Sequence, residues 1–429
     1  MAMSTAPVTT TPPPTTTPPP AWSVFSPRVL LLIVLGFSSG LPLALVGHTL
    51  SAWMTDAHVD LTTVGLFSAV MLPYSVKFLW APGIDHLRPP VLGRRRGWAV
   101  LFQLGLAACL LWMSVTDPVA DAGTLALAAV CVAGFSASQD IVLDAYRTDV
   151  LASSERAAGS ATFITGYRLG MLASGSLAMI LADQTSWANV YRIMAAFVVI
   201  GFIAVLVAPE PAAPPKQKVS FEQMVLAPLR HFAARKGAVI ALVFMLAYKI
   251  GDAFAGALTT RFFKEIGFTN TELGTLHSGA GMIATIAGGL AAGVLMPKFG
   301  VRRGLIIFGA LQAVTNIFFA VMAVTGKSAV LLVAGVVLDN FAGGMGTMAF
   351  VAFLMGLCDR RYSATQYALF SSVSAFPARV LGAFSGMAAA SLGWSTFFIG
   401  TIVVAIPGVL LAFVLPHTLT DVPLEDEPQ

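Results

Sequence analysis

The amino-acid sequence predicts an all-α membrane protein of about a dozen transmembrane helices in two pseudo-symmetric six-helix bundles. Three observations carry this prediction: an apolar composition, a regular alternation of apolar runs with charged breaks, and an internal repeat. Of 429 residues, 57% are hydrophobic and 11% are charged, whereas soluble domains usually carry about 25% charged residues. The mean hydropathy is +0.81. The net charge of +4 does not point to nucleic acid, because the basic residues lie between apolar runs instead of gathering on one polar face.

A bilayer span needs roughly 20 mostly apolar residues. Windows of that kind fall at 29–54, 61–84, 98–115, 123–146, 157–182 and 190–208, and again at 238–262, 273–296, 305–324, 329–357, 364–391 and 396–415. The longest polar interval between them contains PAAPPKQK and reads as a linker at 209–236. The expected organisation is therefore a Thr/Pro-rich tail at 1–27, a six-helix bundle at 28–208, the linker, a second bundle at 237–415 and an acidic tail at 416–429. The Thr/Pro tract TTTPPPTTTPPP has neither the basic start nor the apolar core of a signal peptide and reads as a disordered cytosolic tail.

Loop charge sets the orientation, because Lys and Arg in short loops are retained on the cytoplasmic side. One alternate set of segments carries seventeen such residues, among them Arg94, Arg95, Arg96, Arg302, Arg303, Arg360 and Arg361. The opposite set carries only Arg192, Arg261, Lys264 and Lys327. Both termini are thereby assigned to the cytosol. The loop GRRRGW, starting at Gly93, has a counterpart in GVRRG, starting at Gly300. The segment from Arg168 to Gly175 likewise matches that from Arg379 to Gly386. Two parallel six-helix repeats meeting around a midplane cavity resemble the architecture of the major facilitator superfamily.

A charge at mid-bilayer costs about 2.5 to 3.5 kcal/mol even on insertion scales, so each one needs a partner, a wet cavity or a task. Lys77, Arg168, Lys249 and Arg379 are the intramembrane cations; Asp140, Asp144, Asp252 and Asp339 are the anions. At about 1.5 Å rise per residue, Arg168 lies about 18 Å from Arg156, and Asp339 about 18 Å from Lys327, which puts both near the midplane. Asp140 and Asp144 share a helix face, with Gln139 beside them, and Lys249 and Asp252 are spaced to pair within one helix. A cation ring spread over both halves suits an anionic substrate, since Arg offers a bidentate fork and Lys a point charge. Buried carboxylates are natural proton carriers, with Asp140 and Asp339 the leading candidates. The charges at the cytosolic ends, Asp85, Arg94, Arg95, Arg96, Arg147, Asp149, Glu155 and Arg156, read as inter-helix ion pairs that latch one conformation.

Enzymatic chemistry finds no support. The six histidines, His48, His58, His86, His231, His277 and His417, are scattered, and neither HExxH nor a nucleophile constellation occurs. Cys109, Cys131 and Cys358 show no metal or redox spacing and read as packing residues.

Several strings are more specific than topology: LPYSVKFLWAPGID (72–85), GRRRGW, QDIVLDAYRTDVL (139–151), GYRLGMLASG (166–175), YKIGDAFAGALTTRF (248–262), GMGTMAFVAFLMGLCDRRYSATQYAL (344–369) and LGWSTFF (392–398). They resemble the signature stretches of the AmpG-type muropeptide permease family. The resemblance runs from the first span to the last and leaves out the tails and the linker. It implies a multi-pass bacterial inner-membrane importer of anhydromuropeptides that serves peptidoglycan recycling and, through it, β-lactamase induction. It further implies proton symport by alternating access, with no cofactor beyond the proton gradient. A small glycopeptide, protons and the lipid bilayer are the expected partners, nucleic acid is not, and the expected state is a monomer. The substrate's carboxylates would meet Lys77, Arg168, Lys249 and Arg379. Its hydroxyls and amides would meet Gln139, Asn340, Gln366, Tyr167 and Tyr248. Acetyl-CoA or a siderophore is the alternative cargo within the broader family, and a ligand sensor that moves nothing is the alternative to transport.

Overall fold

A computed structural model describes residues 27–151, 156–211, 230, 232–234, 237–358 and 363–416. Among these the chain is helical and contains no strand. Twelve helices are long and apolar enough to cross a membrane: α1 Leu30–Asp56, α2 Leu61–Leu79, α3 Arg94–Val115, α4 Ala122–Arg147, α5 Thr162–Ala182, α6 Trp187–Val207, α7 Ala238–Glu265, α8 Asn270–Lys298, α9 Gly300–Thr325, α10 Ala329–Leu357, α11 Leu369–Leu392 and α12 Trp394–Val414. The protein is thus a multi-pass membrane protein. Spans alternate in direction, so the loops fall on two faces. The face where α1 begins and α12 ends is the terminus face, and the opposite one is the far face.

Helix starts on the far face are fixed by side-chain caps, which satisfy backbone N–H groups that lack an intrahelical acceptor. Asp60, Asp121, Ser186 and Ser328 accept from the amides of Thr63, Thr124, Asn189 and Leu331 at the starts of α2, α4, α6 and α10. Thr269 and Glu272 form a reciprocal capping box at the start of α8. On the terminus face, Gly93 and Gly300 turn the chain into α3 and α9 at φ 83° and 75°, a region that favours glycine. The break between α8 and α9 is therefore a single-residue corner, tighter than the loop expected from the charges. α2 also differs from expectation: it winds into 3₁₀ geometry at Lys77–Leu79, and the chain continues as a separate short helix, Ala81–His86.

The repeat read from the sequence is visible in how the halves are built. Arg96 donates to the carbonyls of Val205 and Leu206 at the end of α6, and Arg302 donates to those of Ala412 and Phe413 at the end of α12. Each arginine covers helix-end carbonyls that have no N–H partner. Gly201 of α6 abuts Ser38 of α1 as Gly408 of α12 abuts Tyr248 of α7. α1 and α5 cross at backbone contact, since a Cβ on Gly40 would stand 2.0 Å from the Tyr167 carbonyl oxygen. Small residues allow such crossings in lipid, where packing instead of water exclusion drives association.

The halves are joined mainly by α1 with α7, α2 with α11, and α5 with α8. On the far side one apolar core runs through both halves, containing Leu50, Trp53 and Tyr191 from one and Leu258, Phe262 and Phe398 from the other. Toward the terminus face the cores separate. One surrounds Phe244, Phe308 and Phe353, and the other surrounds Leu35, Phe102 and Leu143. The halves therefore meet at the far face and part toward the terminus face.

Candidate functional site

The parting of the halves creates two connected environments of different chemistry. Beneath the far-face contact lies a chamber of about 350 Å³ lined by both halves. Its walls are mainly apolar, with Phe67, Met71, Met171, Ala253 and Gly256 among them, and it carries the Ser51 and Ser68 hydroxyls and Arg379. Nearer the terminus face is a basin of about 490 Å³ lined by Ser39, Asp140, Asp144, Arg147, Tyr167 and Arg168 among others. Together they provide the concave, partly polar volume that a small-molecule site needs.

Within the basin, Asp140 accepts from Ser39 Oγ at 2.5 Å and faces Lys77 Nζ at 3.6 Å. Asp144 pairs with Arg147 at 3.4 Å, and the Arg147 guanidinium lies 4.9 Å over the Phe163 ring. Arg168 lines the same basin, and among the described residues it makes no hydrogen bond or ion pair. It is a cation without a protein counter-ion, whereas Lys77 and Arg147 are neutralised in place.

The C-terminal half is arranged differently at the corresponding positions. The contacts of Gly201 with Ser38 and of Gly408 with Tyr248 set Ser39 of α1 against Lys249 of α7, and the cap positions Asp121 and Ser328 make Asp140 of α4 correspond to Thr347 of α10. The pair Ser39–Asp140 thus becomes Lys249–Thr347, at 3.3 Å, with the charge moved to the other helix and inverted. Lys249 also contacts Asp252 and Gln312, each at 3.4 Å. The spacing of Lys249 and Asp252 had suggested that pair. Asp339 accepts from Thr315 at 2.8 Å. Arg379 reaches across the seam to the Met71 carbonyl and lies 5.5 Å over the Tyr74 ring.

Four residues named with the substrate ring are placed elsewhere or are not described. Gln139 donates to Ser38 at 3.2 Å inside the α1–α3–α4 packing, where Gln103 meets the same hydroxyl. Tyr248 is buried, donates to the Leu305 carbonyl at 2.9 Å and stacks on Phe350. Asn340 is held between the Val336 carbonyl and the Thr285 hydroxyl. The side chains of Gln366, Asp85 and Arg156, and all of Glu155, lie outside the described residues.

Of the charges expected to latch a conformation on the terminus face, Arg94, Arg95 and Asp149 pair within one half. Asp149 meets Arg95 at 2.9 Å and Arg94 at 3.5 Å, and Glu210 accepts from the backbone amides of Arg95 and Arg96. Other contacts cross the seam on the far face. Asp56 of α1 pairs with Lys264 of α7 and accepts from Trp187 and Asn270, both at 2.9 Å. Arg261 donates to the Val59 carbonyl at 2.9 Å, and the amide of Thr271 donates to Asp183 at 2.6 Å. Burial pushes the Asp183 carboxyl upward, but hydrogen bonds from Thr271 and Asn270 and the nearby Lys264 charge outweigh it, so its pKa lies below the ordinary carboxylate range. Sequence reasoning had used Arg261 and Lys264 only for orientation. Asp56 sat at a span end with nothing to mark its partner.

Comparison with known proteins agrees with this architecture. A family model described as Major Facilitator Superfamily matches residues 32–382. The chain is 45% identical over 395 residues to the anhydromuropeptide permease of Escherichia coli strain K12, covering 92% of this chain and 80% of that one. It is 32% identical to a putative transporter AmpG 4 of Rickettsia felis, over 90% of this chain and 96% of the relative. Among solved structures, the nucleoside transporter NupG superposes with a TM-score of 0.71 at 15% identity, covering 91% of this chain and 98% of that one. A D-xylose-proton symporter does so at 0.69 and 13%, with coverage of 91% and 98%. At these identities the solved structures speak for the fold alone.

Proposed function

The chain belongs to the major facilitator superfamily and, within it, to the family of the anhydromuropeptide permeases, and from that premise we propose that it carries anhydromuropeptides across the bacterial inner membrane by proton-coupled alternating access. The observation that carries the reading is the basin in which Arg168 stands, among the described residues, without a protein counter-ion, beside the Lys77–Asp140 pair. An Arg fork binds a substrate carboxylate bidentately.

On this reading the Arg-rich terminus face is cytosolic, and the structure is the inward-facing state. The halves 28–208 and 237–415 rock about the basin, joined by a cytosolic linker at 209–236 and flanked by cytosolic tails at 1–27 and 416–429. The protein works as a monomer and draws on the proton gradient alone. Import begins when the far-face contacts of Asp56, Asp183, Arg261 and Lys264 part. Substrate then enters the chamber and the basin, and the seam closes again behind it. The proton rides on a carboxylate of the cavity, Asp140 first, because it joins a cation and a hydroxyl at the basin wall. Asp144, Asp252 and Asp339 are secondary positions.

The cargo is tested by competition. Purified protein in nanodiscs is expected to bind labelled GlcNAc-anhydroMurNAc peptide and to release it to unlabelled muropeptide but not to acetyl-CoA or a ferric siderophore. Displacement by acetyl-CoA with no displacement by muropeptide would assign the other cargo.

A further inference from the structure

Two histidines that seemed scattered in the sequence meet at the seam between the halves. His48 comes from α1 and His277 from α8, and their rings lie 6.2 Å apart, edge to face. Ser278 Oγ is 3.3 Å from His48 Nε2, and Phe263 of α7 packs on the His277 ring at 5.5 Å. His277 Nδ1 is buried without a hydrogen-bond partner among the described residues. His48 also lines the chamber between the halves, whereas neither ring lines the basin or joins a far-face ion pair among the described residues.

The backbone on both sides is shaped around this pair. α8 runs as a π-helix over Leu273–Ala280, which contains both His277 and Ser278, and α5 has a π-helical turn over Ala173–Leu177 directly across the seam. Such wide turns cost regular hydrogen bonding and concentrate at functional positions. At the centre of the α5 turn is Gly175, where a Cβ would stand 2.7 Å from His48 Nε2. The absence of a side chain there lets the His48 ring lie against α5 and reach Ser278 across the seam.

We infer that His48 and His277 form a proton-binding site in the seam, and that a proton on it favours the arrangement in which the far face is open. The reasoning is electrostatic. The groups packed against the pair are the Ser278 hydroxyl from α8, Phe263 from α7, Gly175 with the bonded Ser174 from α5, and Ser51 from α1 itself. None of them is a carboxylate. The charged groups on the elements packed against the pair are Glu272, five residues before His277 on α8 and itself paired with Lys327, the Asp56–Lys264 pair, eight residues from His48 on α1, and Arg379 on the chamber wall, which adds to the repulsion. A proton in the closed seam therefore has no carboxylate in contact with it among the described residues, and a second one faces the first at close range. With the seam open, water reaches the rings and solvates the charge. A ligand that binds one arrangement better shifts the population toward it, here the proton toward the open far face. Closure then requires the pair to release its proton, so the order of protonation and rocking is set at the entrance.

The test needs no substrate, so its failure leaves the muropeptide reading standing. Full-length protein with the three native cysteines replaced is spin-labelled at Gln184→Cys and Thr325→Cys, exposed far-face positions on opposite halves, and the label distance is measured in liposomes at pH 8 and pH 5.5. Asp183 stays ionised throughout that window, because its pKa is below the ordinary carboxylate range. The distance is expected to lengthen at pH 5.5 in the parent protein and to remain short at both pH values in His48→Gln/His277→Gln. His48→Gln alone, which leaves one ring, is expected to weaken the response without abolishing it. Absence of lengthening in the parent, or lengthening of equal size in the double variant, would overturn the proposal.

Discussion

Arg168→Ala is expected to raise the Kd for an anhydromuropeptide about 30-fold or more, equivalent to roughly 2 kcal/mol, while leaving the protein as stable as before. The two halves of this expectation rest on the same observation. Truncating one member of a buried charged pair usually costs about 2–5 kcal/mol, much of it from the partner left behind. Arg168 has no protein partner among the described residues, so its removal strands nothing inside the fold and the loss falls on the ligand. Arg168→Lys keeps the charge but loses the fork geometry and is expected to fall between the two. Calorimetric titration in detergent, with thermal unfolding measured in parallel, reads both effects. Unchanged affinity in the alanine variant would remove Arg168 from the binding site.

Asp140→Asn is expected to abolish accumulation against a gradient while leaving substrate exchange intact. The amide can still accept from Ser39, whose hydroxyl now stands 2.5 Å away, but it cannot balance Lys77 at 3.6 Å and cannot exchange a proton. With one proton per cycle, one unit of pH difference drives about tenfold accumulation, because each 1.4 kcal/mol is a factor of ten. The variant should reach no more than equal concentrations, yet support counterflow at a rate near that of the parent. Preserved accumulation would move the coupling role to Asp144, Asp252 or Asp339.

The membrane architecture was legible because lipid imposes it on composition. Twelve apolar runs stand out, and the matched loops at Gly93 and Gly300 expose the repeat before any coordinate is known. The basin was legible in part. Asp140, Asp144, Tyr167 and Arg168 were marked as polar groups within spans, and the fold brings them together.

What was misjudged follows from helical geometry. Gln139 adjoins Asp140, and Tyr248 adjoins Lys249, but neighbours in sequence are turned by about 100° on a helix of 3.6 residues per turn. Gln139 and Tyr248 therefore point into helix packing while their neighbours face polar groups. The seam was invisible for another reason. Asp56 and Lys264, or His48 and His277, lie in different halves, and no local periodicity links them. Their pairing depends on which conformational state the halves occupy. Ser39 carried a weak signal, a small polar residue in an apolar span, but only the α1–α4 packing identifies its partner as Asp140.

The central claim is that this chain moves anhydromuropeptide together with protons. Its most direct test is uptake of labelled GlcNAc-anhydroMurNAc peptide into proteoliposomes with an acidic exterior, with internal pH recorded at the same time. The account predicts accumulation above the external concentration, internal acidification that depends on substrate, and loss of both when a protonophore is added. Uptake that stops at equal concentrations and ignores the pH gradient would contradict it.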